Sequence, residues 1–250
     1  MGKTILVFGA HNDDLVCYAG GTIARYANEG HNIVHVAVTD SGKGTYDPNI
    51  SEKEVARIRE EDGRRISRVL GVKEDRFWGY PDGDLSPSLE LREKMLRAIR
   101  ELRPSIVMTH DPEFNNQRHR DHIAVGLAAE EACTFSAFPL FGPAHYREGL
   151  KPCNVGLIYF FDTSKPNKFV DITAELEIKI KASGEDKYVD DMHIEICKLI
   201  DKYREGMSVE EAVSECVKFR ASQFASEARG TKYAEAFRVV KAGSGEVFEV

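Results

Sequence analysis

The 250-residue chain lacks several features that would assign a protein to a class at once. No apolar run approaches the roughly 20 residues of a membrane span, and the short run before His11 lacks the length and cleavage site of a secretory leader. Basic residues number 34 against 41 acidic residues, so the positive surplus that nucleic-acid binding requires is missing. We therefore expect a cytoplasmic protein with no membrane span and no nucleic-acid partner.

Cysteine is scarce, and the motifs of several common enzyme classes are missing. The five cysteines are an odd number without a CxxC pair, which argues against a disulfide framework and against a cysteine zinc site. The sequence contains no HExxH, GxSxG or GxxxxGK[ST] motif, the signatures of zincins, nucleophile elbows and phosphate loops. The turn 9–14 also lacks GxGxxG, and its acids would repel a pyrophosphate, so a dinucleotide site is disfavoured.

The chain does contain a regular alternation of strand and helix patterns up to about residue 161. Between stretches that favour helices, apolar and β-branched runs predict strands at 4–8, 32–39, 76–80, 105–109 and 155–161. Ser51 with Glu54 predicts a capping box for the second helix, and Ser86 with Pro87 predicts the start of the third. The alternation predicts an α/β fold, a Rossmann-like three-layer sandwich around a mostly parallel sheet.

The pattern changes after residue 161. We expect a strand at 168–172, helices near 188–204 and 208–228, and a late strand at 236–240. No linker, repeat or low-complexity tract interrupts the chain, so residues 1–250 are expected to form a single domain with a helical C-terminal portion. The aromatic and proline-rich stretch 134–150 could be a pocket wall or the interface of a homo-oligomer.

Polar residues follow three of the predicted strands. His11-Asn12-Asp13-Asp14 follows the first strand, Asp40 follows the second, and the segment 110–122 follows the fourth. Because the carboxyl ends of parallel strands meet at one edge of a sheet, these residues should lie close together.

Two interpretations fit the first of these clusters. Asp13 and Asp14 could be the N-cap and first-turn acids of a helix, or they could join His11 in a divalent metal site, which would remove the cost of burying two adjacent acids. His119 and His122 are three residues apart with an acid between them. Imidazole and carboxylate groups are ordinary zinc ligands, so the two clusters together favour the metal site.

These residues resemble the motifs of the LmbE-like, or PIG-L-type, zinc-dependent N-deacetylases. That family typically shows AHPDD after its first strand, then a glycine pair and EGH, and later TDG, R…LGV, HPDH, VDIT and YAEAF. The corresponding segments here are Ala10–Asp14, Gly20–Thr22, Glu29–His31, Thr39–Ser41, Arg59–Val72, His119–His122, Val170–Thr173 and Tyr233–Phe237. The resemblance spans nearly the whole chain, and its two metal motifs are quite specific.

The resemblance implies one zinc ion per chain and assigns residues to it. His11, Asp14 and His122 would hold the zinc. Asp13 would be the general base that takes a proton from the attacking water, as a carboxylate within hydrogen-bond reach can do.

Four further residues receive roles from the resemblance. His119 would stabilise the oxyanion or protonate the leaving amine, with Asp121 orienting it, and Arg59 and Asp82 would bind the substrate. On the residues alone, Arg59 could equally be one charge on a solvated helix, and Asp82 could be a turn residue in Pro81-Asp82-Gly83.

The chain departs from the family pattern at three places. Asn12 replaces a proline, which should loosen the turn, and Leu15 stands where the family often has glutamate. The usual HxSQ is not found near 183–189, and the helix-rich segment 184–228 takes its place. We expect this segment to shape the substrate pocket, so substrate identity is the least determined property.

The resemblance implies an enzyme that uses zinc to remove acetyl from an N-acetylglucosamine-containing small molecule or saccharide. Its partner would be a small acetylated amino sugar. Two alternatives stay open: an amidase acting on a larger thiol conjugate or glycolipid head group, and a non-catalytic relative that binds zinc or sugar.

Overall fold

Seven strands form the central sheet of the computed structural model, which describes residues 2–114, 117–186, 190–228 and 230–243. The strands are β1 (Thr4–Gly9), β2 (Asn32–Thr39), β3 (Glu74–Tyr80), β4 (Ile106–His110), β5 (Leu157–Phe161), β6 (Lys168–Asp171) and β7 (Ala234–Lys241). They lie in the order β3-β2-β1-β4-β5-β7-β6. Strands β1 to β5 are parallel to one another, whereas β7 is antiparallel to both β5 and β6.

Helices cover both faces of this sheet. Within the described ranges they are α1 (Asp14–Asn28), α2 (Glu52–Leu70), α3 (Leu89–Leu102), α4 (Arg120–Phe135), α5 (Pro143–Arg147), α6 (Leu176–Ser183), α7 (Asp190–Leu199) and α8 (Val209–Ser222). Along β1, Leu6 and Phe8 enter a core with α3 and α4, while Ile5 and Val7 enter a second core with α1, α2, α6 and α8. The predicted three-layer α/β arrangement with a mostly parallel sheet is confirmed.

Among the described residues, no helix combines the length and apolar character needed to cross a membrane.

Two helix starts show how local hydrogen bonds set the boundaries. The Ser51 hydroxyl caps α2 by accepting the backbone N–H of Glu54, although the Glu54 side chain pairs with Arg57 instead of completing the predicted capping box. The predicted start of the third helix at Ser86 and Pro87 is wrong. The helix begins after Ser88, whose hydroxyl accepts the N–H three residues on, so the proline lies outside it.

The C-terminal portion is more fragmented than the pattern predicts. The expected helices over 188–204 and 208–228 are the shorter α7 and α8, and residues 188 and 189 lie outside the described residues. Asp201 and Gly206, with φ of 57° and 76°, turn the chain between these helices. The short helices α5 and α6 were not predicted; α5 has a proline in its first turn, directly after Gly142 at φ 62°.

The glycine pair in α1 lets two later segments approach the helix closely. A Cβ on Gly21 would lie 2.6 Å from the Ile172 side chain, and one on Gly20 would lie 3.3 Å from Cγ of Lys179. The backbone N–H groups of Gly21 and the next residue donate to the Glu235 carboxylate at 2.9 and 2.8 Å. Glu235 also accepts from Nζ of Lys179 at 2.6 Å, and both side chains are buried. The glycine pair therefore permits close packing of α1 against these segments.

We expect Glu235→Ala to lower the free energy of unfolding by about 3–5 kcal/mol, because it leaves Lys179 buried without its partner. Glu195→Ala is the matched control, since its pair with Lys198 has the same 2.6 Å separation but is exposed. The control should lose less than about 1 kcal/mol. Urea unfolding followed by circular dichroism measures both variants, and equal losses would contradict this account of α1.

Candidate active site

Polar side chains at the carboxyl ends of the parallel strands surround one open cavity, which we call the sheet-edge cavity. The segment 11–14 follows β1, Ser41 follows β2, Asp82 follows β3, and α4 begins beside His119. The cavity has a volume of about 810 Å³, within the range of small-molecule sites. Its outer wall contains Lys43, Tyr46, Arg59, Met192 and Arg220. The last two come from α7 and α8, so the helical C-terminal segment does help to shape the pocket.

Metal-binding atoms of three residues lie close together, those of His11, Asp14 and His122. Nδ1 of His11 lies 3.1 Å from Nε2 of His122. Oδ1 of Asp14 lies 3.5 Å from Nε2 of His122, and its other oxygen, Oδ2, lies 3.7 Å from Nδ1 of His11. Two ligands of a tetrahedral zinc ion, each bound at about 2.1 Å, are roughly 3.4 Å apart. The chemistry and the separations of these three groups therefore fit zinc.

Neighbouring groups fix two members of this triangle. Nε2 of His11 faces Oδ1 of Asp82 at 3.2 Å, a contact typical of a metal-binding histidine, whose second nitrogen commonly donates to a carboxylate. The other oxygen of Asp82 accepts the backbone N–H of Lys43 at 3.0 Å. Oδ2 of Asp14 lies 2.8 Å from Nε2 of His110 and accepts the backbone N–H of His11 at 2.8 Å. Asp82 is thus engaged with His11, which the sequence did not indicate.

Burial and mutual charge decide the protonation of the cluster. Burial lowers the pKa of His122 to about 3, with nearby imidazoles adding to the effect of burial. Burial alone would raise the pKa of Asp14, but His110 and His122 hold it well below its ordinary value. Burial alone would lower the pKa of His11, but surrounding carboxylates, first that of Asp121, raise it well above its ordinary value. His122 is therefore neutral and Asp14 ionised, the forms in which each binds a metal, whereas His11 must give up a proton to bind one.

Asp13 lies at the cavity and does not cap α1. Although it occupies the N-cap position, its side chain makes no capping hydrogen bond, and Oδ2 lies 3.0 Å from Nη2 of Arg59. Arg59 is buried, with 5% of its surface exposed, and its Nη1 contacts Asp186. The interpretations of Asp13 as a simple helix cap and of Arg59 as a solvated helix charge are both wrong.

Asn12 does not loosen the turn in which it replaces a proline. Its side-chain amide donates to the carbonyl oxygen of Arg59, a bond that proline has no side-chain donor to make. A Cβ on Gly63, one turn further along α2, would lie 2.9 Å from Cβ of Asn12, so α2 packs tightly against the turn. Leu15, the second departure, is fully buried in the core under α1.

Asp121 contacts different groups from those that the resemblance implies. Its oxygens accept the backbone N–H groups of Gly83 and Leu85 at 2.7 and 3.0 Å, and one lies 3.7 Å from Nε2 of His11. Within the part of the chain that the structure describes, no hydrogen bond joins Asp121 to His119. Asp121 fixes the turn after β3 and faces His11, and its orienting effect on His119 stays a prediction.

His119 stays at the exposed side of the cluster. Its ring packs edge-on against that of His11, with centroids 4.6 Å apart, and stacks on that of His122 at 4.8 Å. Burial of the ring, together with the charge of His11, lowers the pKa of His119. Its backbone N–H donates to the Gln117 side chain at 2.8 Å. His119 is therefore held by its neighbours' rings and by the turn before α4.

Sequence patterns assigned no specific role to three residues that the structure places at this site. His110 ends β4 and holds Asp14, and its place at the carboxyl end of a predicted strand was the available signal. The Gln117 amide lies 3.0 Å from Nδ1 of His122 and donates to Asp162 at 2.7 Å. Asp186 is 127 residues from Arg59 in the chain, so no local pattern could have paired them.

The fold and this geometry define a class. A Rossmann-like sheet carries two histidines and an aspartate at zinc-ligand separations beside a carboxylate at the cavity, which describes an α/β protein with a candidate mononuclear metal site. The sequence model of the PIG-L family, described as GlcNAc-PI de-N-acetylase, matches residues 6–133, slightly more than half of the chain. The chain belongs to this family, whose members are enzymes.

Two relatives that match the sequence are named as deacetylases. Diacetylchitobiose deacetylase of Thermococcus kodakarensis is 34% identical over 180 residues, which are 72% of this chain and 67% of that protein. The 1D-myo-inositol 2-acetamido-2-deoxy-alpha-D-glucopyranoside deacetylase 1 of Catenulispora acidiphila is 29% identical over 168 residues, 57% of this chain and 52% of that protein. The chain thus matches between about half and two thirds of the length of these relatives.

A solved structure agrees with the sequence comparison. The N,N'-diacetylchitobiose deacetylase from Pyrococcus horikoshii, complexed with its inhibitor MPG, superposes with a TM-score of 0.81 and 30% sequence identity. The alignment covers 96% of this chain and 84% of that one. The similarity therefore extends beyond residue 133, through the C-terminal strands and helices.

We expect His122→Ala to reduce the zinc held after loading and dialysis from about one ion per chain to well below half, because a ligand nitrogen is lost. His31→Ala is the control, since His31 lies just after the opposite end of α1 and pairs with Glu29. Metal analysis by inductively coupled plasma mass spectrometry gives the stoichiometry. Unchanged zinc in His122→Ala would remove this residue from the ligand set.

Proposed function

We propose that this protein is a zinc-dependent hydrolase that removes the N-acetyl group from an N-acetylglucosamine-containing small molecule or saccharide. The observation that carries the proposal is the triangle of His11, Asp14 and His122, with the carboxylate of Asp13 beside it. Such a ligand set leaves a fourth position free for reacting groups. The deacetylase names of the relatives support the same bond cleavage.

The residues around the metal position divide the reaction between them. Zinc held by His11, Asp14 and His122 would polarise the acetamide carbonyl and make water more acidic. The Asp13 carboxylate accepts a proton from the attacking water. An N–H of His119 faces the negative charge that develops on the carbonyl oxygen. As the C–N bond breaks, a proton passes to the amine nitrogen, and acetate and a free amine leave.

Arg59 and Asp82 line the same cavity, and we assign both to substrate binding. Arginine carries five N–H donors, and the contacts of Arg59 with Asp13 and Asp186 leave others for sugar oxygens. Asp82 already binds His11 and the Lys43 backbone, so it also positions His11. Any substrate contact of Asp82 is therefore coupled to the orientation of that imidazole.

The substrate class follows from the cavity and the relatives. A volume of about 810 Å³ lies in the upper part of the range of small-molecule sites, which accommodates a glucosamine ring with a second group attached. The names of the relatives describe such compounds, a disaccharide in one case and an inositol conjugate in the other. We therefore favour an N-acetylglucosamine conjugate over the free monosaccharide.

The zinc-loaded protein should release acetate from at least one member of a panel of N-acetylglucosamine, N,N'-diacetylchitobiose and N-acetylglucosaminyl inositol. Adding 1,10-phenanthroline should abolish release, and excess zinc should restore it, because the metal activates both reactants. An N-acetyl amino acid serves as the control amide. No release from any sugar at full zinc occupancy would contradict the proposal and favour a non-catalytic binding protein.

Asp13→Asn should lower kcat by about 10²–10⁴-fold, the usual contribution of a general base, while the bound zinc stays unchanged. Asp201→Asn, the same exchange at an exposed turn, controls for the substitution itself. Acetate release and metal content are measured on the same preparations. Full activity of the Asp13 variant would exclude this residue as the proton acceptor.

A further inference from the structure

Arg59 lies between two carboxylates on opposite sides of its guanidinium group. Nη2 is 3.0 Å from Oδ2 of Asp13, and Nη1 contacts Oδ1 of Asp186. Arg59 and Asp186 are both buried, with 5% and 2% of their surface exposed. The backbone of Arg59 is also held, since its carbonyl oxygen accepts the amide of Asn12. The arginine is therefore fixed along its whole length.

Burial of the Asp186 carboxylate carries a desolvation cost. Its Oδ2 is buried and has no hydrogen-bond partner among the described residues, and burial, opposed by Arg59, raises the pKa of Asp186 to about 7. The other arginine nearby, Arg65, is bound by Asp62 and Glu185, which leaves Arg59 as the cationic partner among the described residues. An apolar side chain of similar size would avoid the cost of this desolvation.

The contact with Asp186 restricts how Arg59 meets Asp13. An arginine and a carboxylate that are free to adjust commonly pair through two parallel N–H···O bonds. Such a fork would engage both oxygens of Asp13 and leave water only their remaining lone pairs. Here Nη1 contacts Asp186 instead, and the shortest contact of Arg59 with Asp13 runs from Nη2 to one oxygen, Oδ2.

We propose that Asp186 is a positioning residue that prevents Arg59 from closing a two-bond pair with Asp13, so that one oxygen of Asp13 stays available to accept a proton. The inference rests on the proposed function, in which Asp13 is the general base. Asp186 lies in the stretch near 183–189, where the HxSQ motif that the resemblance leads us to expect is missing. Residues 187–189 lie outside the described residues and are not part of the argument.

The test replaces Asp186 in two steps. Asp186→Asn keeps one acceptor for Nη1, and Asp186→Leu keeps none, so kcat should fall in the order wild type, Asn variant, Leu variant. We expect a loss of about 10- to 100-fold for Asp186→Leu, a part of what a general base contributes, with KM changed less than about threefold. Glu185→Gln is the matched control, because the neighbouring carboxylate pairs with Arg65, and its kcat should equal that of wild type.

A crystal structure of Asp186→Leu gives a readout that does not depend on activity. Nη1 of Arg59 should then lie within about 3.2 Å of the second oxygen of Asp13, with zinc content unchanged. An Arg59 that keeps its single contact in that structure would overturn the proposal, as would an unchanged kcat in an active enzyme. If wild type releases no acetate, the proposed function fails, and the crystal structure still decides what Asp186 does to Arg59.

Should the Leu variant fail to fold, the same two measurements on Asp186→Asn apply. Its kcat should lie measurably below that of Glu185→Gln, because a neutral amide holds Nη1 more weakly than a carboxylate does. Nη1 should then divide its contacts between residue 186 and Asp13. Equal kcat values for these two folded variants would contradict the positioning role.

Discussion

The buried carboxylate of Asp14 joins the fold to the candidate site. It stands at the first position of α1, directly behind β1, with 4% of its surface exposed. An ionised acid at such a depth requires compensation, and it receives it from His110 at the end of β4, from the backbone of His11 and from the neighbouring His122. Strand β1, strand β4 and helix α4 must therefore all be in place before this charge is tolerable. The arrangement of His11, Asp14 and His122 therefore depends on the same two strands and helix.

Sequence patterns could predict the parts of the molecule that depend on neighbours in the chain or on strand direction. Alternating strands and helices sufficed for the parallel sheet, and the rule that ligands meet at the carboxyl ends of strands brought His11, Asp14 and His122 to one place. The start of α3 at Ser88 was missed because Ser86 offers an equivalent hydroxyl. The bonds of Asp121 to the turn at 83–85 were not foreseen, because no local signal describes the path of that turn.

The departures from the family pattern show how a changed residue finds new partners. Asn12 replaces a rigid proline with a hydrogen bond to α2, and the close approach at Gly63 lets that bond form. Asp186 reaches the same helix from the other side. Asn12 contacts Arg59 at its backbone and Asp186 contacts it at the guanidinium group. Only a three-dimensional arrangement reveals that two residues so far apart in the chain contact one arginine.

The Glu235 carboxylate on β7 also bears on the order in which contacts can form during synthesis. It bonds to the backbone of α1 across 214 residues of chain, so the helix that starts at Asp14 lacks this partner until residue 235 has been made. Contacts between such distant positions form late, since the loop between them must close first. Until then, two backbone N–H groups of α1 lack the carboxylate that binds them in the folded protein.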